Sequence, residues 1–368
     1  MNRRFKIDLI VAARPNYMKI GPLYRVLRDA DWCRPRLVDA GQHYDPELSS
    51  VFREAFGLPE PHAALGVGSG SHAEQTAGVL LAYEARCRCD PPDWIVVAGD
   101  VNATLSCALV GARLGISVAH LEAGLRSGDR RMPEEINRVL TDQLASLLWT
   151  PSEDADENLR REGIAPQRIE CVGNIMIDAF ELMRGRIEAD GTRAARGLRE
   201  GAYAVVTLHR PSNVDDPATL RRLVETLCAV ADDLPLVFPV HPRTRQQLTV
   251  EKLYTRLVAH HGITLLEPLG YVAFMNLVLG ARAVITDSGG VQEETTYLGI
   301  PCLTLRDSTE RPITLIKGTN RLIDPAGLES AMRELARRDG QGAPPLWDGR
   351  TAPRVAASLR RHLVQIAE

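Results

Sequence analysis

The chain has 368 residues, 45% of them apolar and 25% charged, with a formal net charge of −3 at pH 7. Its length exceeds the roughly 100–200 residues of one domain and predicts two, while so small a net charge supplies no global field for nucleic acid or a membrane surface. No apolar run approaches the roughly 20 residues of a membrane span, and Met1-Asn2-Arg3-Arg4 leads straight into Phe5-Lys6-Ile7-Asp8-Leu9-Ile10, too short and polar for a signal peptide, so a cytoplasmic protein is expected.

Short runs rich in Val and Ile, each followed by a turn and a longer amphipathic stretch, recur along the chain as in βαβ units of a parallel sheet. Predicted strands at 6–12, 36–41, 94–98, 117–122, 146–150 and 168–172 form one series; 203–208, 236–240, 263–266, 282–286 and 301–305 form another. The charged segment from Leu182 to Gly201 separates them and places a boundary near 172–200. The expected fold class is α/β, with two doubly wound, Rossmann-like parallel-sheet domains at 1–175 and 176–351 facing each other across a cleft. Gly340 to Pro345 reads as a linker to a last amphipathic helix near 352–366, expected to pack back on the first domain. Ligands of such folds bind beyond the carboxyl ends of the strands.

Polar residues gather at those ends. After the first strand, Ala13-Arg14-Pro15-Asn16-Tyr17-Met18-Lys19 puts two cations at a helix start, where the dipole disfavours them; they either meet an anionic ligand or are solvated. His43 and Asp45, in Gly41-Gln42-His43-Tyr44-Asp45, follow the second strand. Val96-Val97-Ala98-Gly99-Asp100 and Val118-Ala119-His120-Leu121-Glu122 each end a strand in a carboxylate. Met132-Pro133-Glu134-Glu135-Ile136-Asn137-Arg138 suits a first helical turn for structural reasons alone, yet it adds a third carboxylate to a plausible acid/base set.

In the second half, Leu208-His209-Arg210 and His241-Pro242-Arg243 follow successive strands, either as packed or surface histidines or as diphosphate or acid/base groups. Asp287-Ser288-Gly289-Gly290-Val291-Gln292-Glu293 follows the apolar run Ala283-Val284-Ile285-Thr286 and opens a helix. Its glycines allow close backbone approach and its helix N–H groups favour a phosphate; the alternative is a plain turn at a sheet edge. Arg306-Asp307-Ser308-Thr309-Glu310-Arg311-Pro312 either lines the site or forms a salt-bridged turn. The seven cysteines are odd in number and scattered through apolar segments, as reduced, buried thiols are, and Cys87-Arg88-Cys89 lacks the second ligand pair of a zinc site.

Together these segments resemble the non-hydrolysing UDP-N-acetylglucosamine 2-epimerases, which have the GT-B fold of two-domain glycosyltransferases. The likeness runs from about residue 7 to 323 and rests on eight ordered blocks: Ala-Arg-Pro-x-x-x-Lys (13–19), Gly-Asp (99–100), His-Leu-Glu-Ala-Gly-Leu-Arg (120–126), Pro-Glu-Glu-x-Asn-Arg (133–138), Leu-His-Arg (208–210), His-Pro (241–242), Asp-Ser-Gly-Gly-x-Gln-Glu-Glu (287–294) and Arg-Asp-x-Thr-Glu-Arg-Pro (306–312). The resemblance implies catalytic roles for Asp100, Glu122, Glu134 and His209. It implies that Arg14, Lys19 and Arg138 contact phosphate or substrate, joined in substrate binding by His241 and Arg311, that Ser288, Gly289 and Gly290 hold a diphosphate, that Glu294 takes the ribose hydroxyls and that Phe274 lies against uracil.

In the mechanism so implied, UDP is eliminated to give 2-acetamidoglucal and re-added after protonation from the opposite face, interconverting UDP-GlcNAc and UDP-ManNAc for surface polysaccharide synthesis. Neither NAD nor a metal is required, no Gly-x-Gly-x-x-Gly fingerprint follows any strand, and a homodimer is expected. A glycosyltransferase would not need both Asp100 and Glu122, and a silent nucleotide-sugar binding protein would be expected to lose a carboxylate. Relatives acting on diacetamido uronic acid nucleotides and a branch releasing free ManNAc are further alternatives. Two departures stand out: His209-Arg210-Pro211-Ser212-Asn213 replaces the His-Arg-Arg-Glu-Asn of many bacterial members, and Asp45 replaces a glutamine. Both bear on a second, activating substrate site, which is expected to be absent.

Overall fold

The computed structural model describes residues 4–41, 53–54, 56–335 and 343–367; His43 and Asp45 lie outside them. The chain divides into two compact units, Met1–Leu182 with Pro345–Glu368, and Met183–Pro344.

Unit 1 holds strands β1 (Phe5–Val11), β2 (Cys33–Asp39), β3 (Ala63–Ala64), β4 (Trp94–Ala98), β5 (Ser117–Leu121), β6 (Leu147–Thr150) and β7 (Ile169–Cys171) in the order β3-β2-β1-β4-β5-β6-β7, all paired in parallel. Every residue of β4 and β6 is buried, which is why these strands read as unbroken apolar runs rather than alternating ones. Strand order reverses between β1 and β4, and there Asn16 ties the two ends together: its Oδ1 accepts from the N–H of Ala13 (3.0 Å) and its Nδ2 donates to the carbonyl of Ala98 (2.8 Å).

Unit 2 repeats the plan with β8 (Ala204–Thr207), β9 (Leu236–Pro239), β10 (Ile263–Leu266), β11 (Ala283–Thr286), β12 (Cys302–Thr304) and β13 (Asn320–Leu322), ordered β10-β9-β8-β11-β12-β13, also parallel. Its reversal lies between β8 and β11. This is α/β architecture with two doubly wound sheets.

Some elements differ from the sequence expectation. β3 and β13 are edge strands of two and three residues, too short to show a period. β2 starts at Cys33 rather than 36 because Pro35 sits where the strand has β1 on one side only, β3 pairing no earlier than Val38, so the missing N–H costs no ladder bond.

The helix Thr351–Ala367 belongs to unit 1. Asp178 accepts the N–H groups of Thr351 (3.0 Å) and Ala352 (2.7 Å) at its start, and the indole of Trp149 donates to Ser358 Oγ (2.9 Å). Of the seven cysteines, five are buried, Cys171 is half-buried and Cys89 is exposed. Cys87 enters the apolar core while Cys89 faces solvent on the same helix, so the two do not converge. No helix among the described residues is long and apolar enough to cross a membrane.

Candidate active site

In unit 1, the turns after β4 and β5 carry Asp100 and Glu122. Glu122 is 6% exposed and adopts a left-handed backbone (φ 71°), a conformation disfavoured for a side chain with a Cβ and held here by its N–H donating to the carbonyl of Trp149 (3.1 Å). Its carboxylate forms an ion pair with the buried ammonium of Lys19, which reaches it from within the helix Arg14–Arg28. Gly99 makes this approach possible. A Cβ there would lie 2.5 Å from Lys19 Nζ and 3.7 Å from Glu122 Oε2, and its φ of 69° is a second reason for glycine. Arg14, the other cation of that segment, is the first residue of the helix.

Arg138, in the helix Pro133–Leu144, donates to Asp100 Oδ2 (2.5 Å) and, through Nη2, to Glu135 (2.8 Å). Glu135 also accepts the N–H groups of Ser127 and Gly128, both at 2.9 Å; burial acts to raise its carboxyl, but these bonds and Arg138 hold it below the ordinary value. Asn137 donates to the backbone carbonyl of Asp100 (2.9 Å). Glu134 is exposed in the first turn of the same helix. Lys19 and Arg138, expected on phosphate or substrate, thus engage carboxylates directly, where each stabilises an anion.

Beneath these turns His120 is fully buried. Its Nδ1 lies 2.6 Å from Asp142 Oδ1 and its Nε2 2.8 Å from the carbonyl oxygen of Gly99. Asp142 also accepts the N–H of Gly124 (3.1 Å) and pairs with Arg126 (2.8 Å). Burial would raise the Asp142 carboxyl, yet His120 and Arg126 hold it below its ordinary value, so it is ionised.

In unit 2 the corresponding strand-order reversal brings His209, after β8, to Asp287, after β11. The fully buried Asp287 accepts the backbone N–H of Arg210 (2.9 Å) and the side-chain amide of Asn213 (3.1 Å), and lies 3.0 Å from His209 Nδ1. Burial opposes its ionisation, but His209 and these donors hold it below the ordinary carboxylate value. An ionised Asp287 only accepts, so Nδ1 of His209 carries a proton and the Nε2 edge is left for other chemistry. The ring of His241 lies 5.5 Å from that of His209, and its Nδ1 accepts the N–H of Arg243 (3.3 Å) to cap the helix Pro242–Val250. Burial, reinforced by His209, lowers its affinity for a proton.

Ser288 precedes the helix Gly289–Leu298 as its cap residue. A Cβ on Gly289 would meet Arg311 Nη1 at 2.7 Å and Glu310 Oε1 at 2.8 Å, whereas one on Gly290 would meet nothing within 4 Å. Glu310 gathers Arg311 (2.7 Å) and Arg306 (2.9 Å), with Arg210 at 3.8 Å, and Arg311 also pairs with Glu293 (2.9 Å). Against the cost of burial, Arg311 and Arg306 hold the Glu310 carboxyl well below the usual range, while burial and Arg306 lower Arg210. The buried Arg306 Nη1 has no hydrogen-bond partner among the described residues. Three arginines beside an open helix N-terminus suit a diphosphate. The segment 306–312 is therefore a salt-bridged turn, and its charges adjoin the phosphate-type turn as well. Farther along the helix, buried Glu294 accepts the hydroxyl of Tyr271 (2.7 Å), in the same helix as the half-buried Phe274.

A family model for UDP-N-acetylglucosamine 2-epimerase matches residues 25–360. The chain belongs to the UDP-N-acetylglucosamine 2-epimerase family. A UDP-N-acetylglucosamine 2-epimerase of Methanocaldococcus jannaschii is 39% identical over 363 residues, 96% of this chain and 98% of the relative. A UDP-2,3-diacetamido-2,3-dideoxy-D-glucuronate 2-epimerase of Pseudomonas aeruginosa is 34% identical over 362 residues, 97% and 99% of the two chains. The crystal structure of the Methanocaldococcus jannaschii enzyme in complex with UDP-GlcNAc and UDP superposes with a TM-score of 0.86 at 38% identity, covering 97% of this chain and 99% of that one. The fold class is that of this epimerase family, of GT-B type.

Sequence reasoning missed Glu135, Asp142 and Arg306, the buried partners of the residues it singled out. The charge-rich Met132–Arg138 and Arg306–Pro312 segments held the signal for Glu135 and Arg306; nothing local marked Asp142.

Proposed function

We propose that this epimerase interconverts UDP-GlcNAc and UDP-ManNAc by eliminating UDP to form 2-acetamidoglucal and adding it back. The observation that carries this reading is the pair of strand-end carboxylates, Asp100 and Glu122, each held by a buried cation, Arg138 and Lys19. The C2 proton of the sugar has no adjacent carbonyl to acidify it. Partial departure of UDP gives C1 oxocarbenium character and makes that proton acidic. One carboxylate takes the proton as the C1–O bond breaks, its electrons leaving with the diphosphate, and a C1=C2 double bond forms. Protonation of C2 from the other face and return of the diphosphate oxygen to C1 give the epimer.

Asp100, Glu122 and Glu134 are assigned to proton transfer, with His209 assisting. The arginines around Glu310 and the N–H groups of the Gly289–Leu298 helix stabilise the leaving diphosphate, with Ser288, Gly289 and Gly290 in backbone contact. Arg14, Lys19, Arg138, His241 and Arg311 bind substrate, Glu294 the ribose and Phe274 the uracil. A homodimer, on the family resemblance, and a cytoplasmic location are part of the same proposal. The test is a proton NMR time course of purified protein with UDP-GlcNAc in D2O and no added cofactor or metal. The expected result is an equilibrium mixture with UDP-ManNAc carrying deuterium at C2. Free ManNAc and UDP as main products, or turnover of only a UDP-diacetamido uronic acid, would replace this reading.

A further inference from the structure

His120 and Asp142 lie behind the proposed proton-transfer groups, and nothing in the chemistry above uses them. The two ring nitrogens of His120 face two oxygens, the carboxylate of Asp142 and the peptide carbonyl of Gly99. The fully buried ring thus has an oxygen partner at each nitrogen and bridges the two. Its two bonds reach both catalytic turns. The N–H of Gly99 already donates to the carbonyl of Leu121 (3.1 Å), so the His120 bond to the Gly99 carbonyl fixes the second polar group of the residue immediately before Asp100. On the other side, Asp142 Oδ2 takes the N–H of Gly124 and the guanidinium of Arg126, which Glu162 also holds (2.7 Å), and so fixes the residues that follow Glu122.

We propose that His120 is a positioning residue of the reaction, a buried ring that joins the Asp100 turn to the Glu122 turn through Gly99 and Asp142 and so sets the placement of the two carboxylates. The inference rests on the reading of those carboxylates as the proton-transfer pair. Removing the ring frees the Gly99 carbonyl, and with it the backbone that leads into Asp100, the partner of Arg138.

Two measurements on the full chain test it. Nitrogen-15 NMR of the unmodified protein at the assay pH should show both ring nitrogens of His120 hydrogen-bonded, a signature that simple packing of the ring does not give; a ring nitrogen without a hydrogen bond overturns the proposal. His120→Gln, which cannot bridge both oxygens at once, should lower kcat by about 10²-fold, as expected for misplaced reacting groups, with UDP affinity unchanged. Unchanged kcat, or an equal loss of UDP affinity, overturns it. If the variant does not fold, the nitrogen spectrum decides. Absence of deuterium exchange by the unmodified enzyme would sink the catalytic reading instead, and leaves the spectrum to judge His120 separately.

Discussion

The imidazole of His209 and the carboxylate of Asp287 meet where strand order reverses in unit 2, Nδ1 to Oδ1 at 3.0 Å, and the backbone N–H of His209 donates to the same carboxylate at 3.0 Å. One buried anion thus orients the ring and ends the strand that carries it. Asp287→Asn would turn an amide toward several donors. It is expected to cost about 1–3 kcal/mol at pH 7 and to lower turnover. Because the folded-state affinity of Asp287 for a proton is reduced, its contribution is complete above the ordinary value of 3.8 and is lost as pH falls through the folded value beneath it. Thermal melts should therefore show the difference between the two proteins shrinking below about pH 4.

For the proton-transfer pair, Asp100→Asn and Glu122→Gln should each lower kcat by at least about 10²-fold. UDP titration by calorimetry should find a much smaller change in affinity than in kcat, since a proton-transfer group acts mainly in the transition state. Near-normal turnover in both variants would remove them from the chemistry.

Gly99 and Gly115 share a φ of 69°, but only at Gly99 would a methyl group meet Lys19 Nζ. Each change to alanine should cost about 1–2 kcal/mol of stability through the left-handed backbone. Only Gly99→Ala should also depress kcat, and equal activity in the two variants would contradict the role given to the Lys19–Glu122 pair.

At the Gly289–Leu298 helix, Gly289→Ala must displace Arg311 or Glu310, whereas Gly290→Ala meets open space. The second change should leave the melting temperature of the free protein unaltered and still weaken UDP binding, because the added methyl has only the ligand to meet. Unimpaired UDP affinity in Gly290→Ala would place the diphosphate elsewhere.

Pro211, which opens the short helix Pro211–Val214, offers neither charge nor backbone donor where many bacterial relatives have arginine. The enzyme should accordingly show hyperbolic kinetics and epimerise UDP-ManNAc without added UDP-GlcNAc. A lag in that direction, abolished by UDP-GlcNAc, would show substrate activation.

The sheets and the strand-end motifs were legible because buried parallel strands are unbroken apolar runs and because turns rich in Gly, Asp and His interrupt them. The partners of those motifs were not. In the helix Pro133–Leu144, apolar Ile136 and Leu140 are 47% and 45% exposed, while Glu135, Asn137, Arg138 and Asp142 are buried. A periodicity reading assigns such a helix the opposite face to the core, because it scores apolarity and not the mutual neutralisation that lets charges be buried. The reach of Lys19 to Glu122 spans two strands of the sheet order and has no local trace.

The chain leaves unit 1 at Leu182 and re-enters it only at Pro345, to deliver the helix that Asp178 caps and Trp149 contacts through Ser358. During synthesis, unit 2 is therefore complete while the first-made unit still lacks its last piece. Unit 1 must wait, with the hydrogen bonding of a buried tryptophan unfinished, for residues made more than 200 positions later. That delay makes the older half of the molecule the later one to mature, and the half more dependent on protection before release.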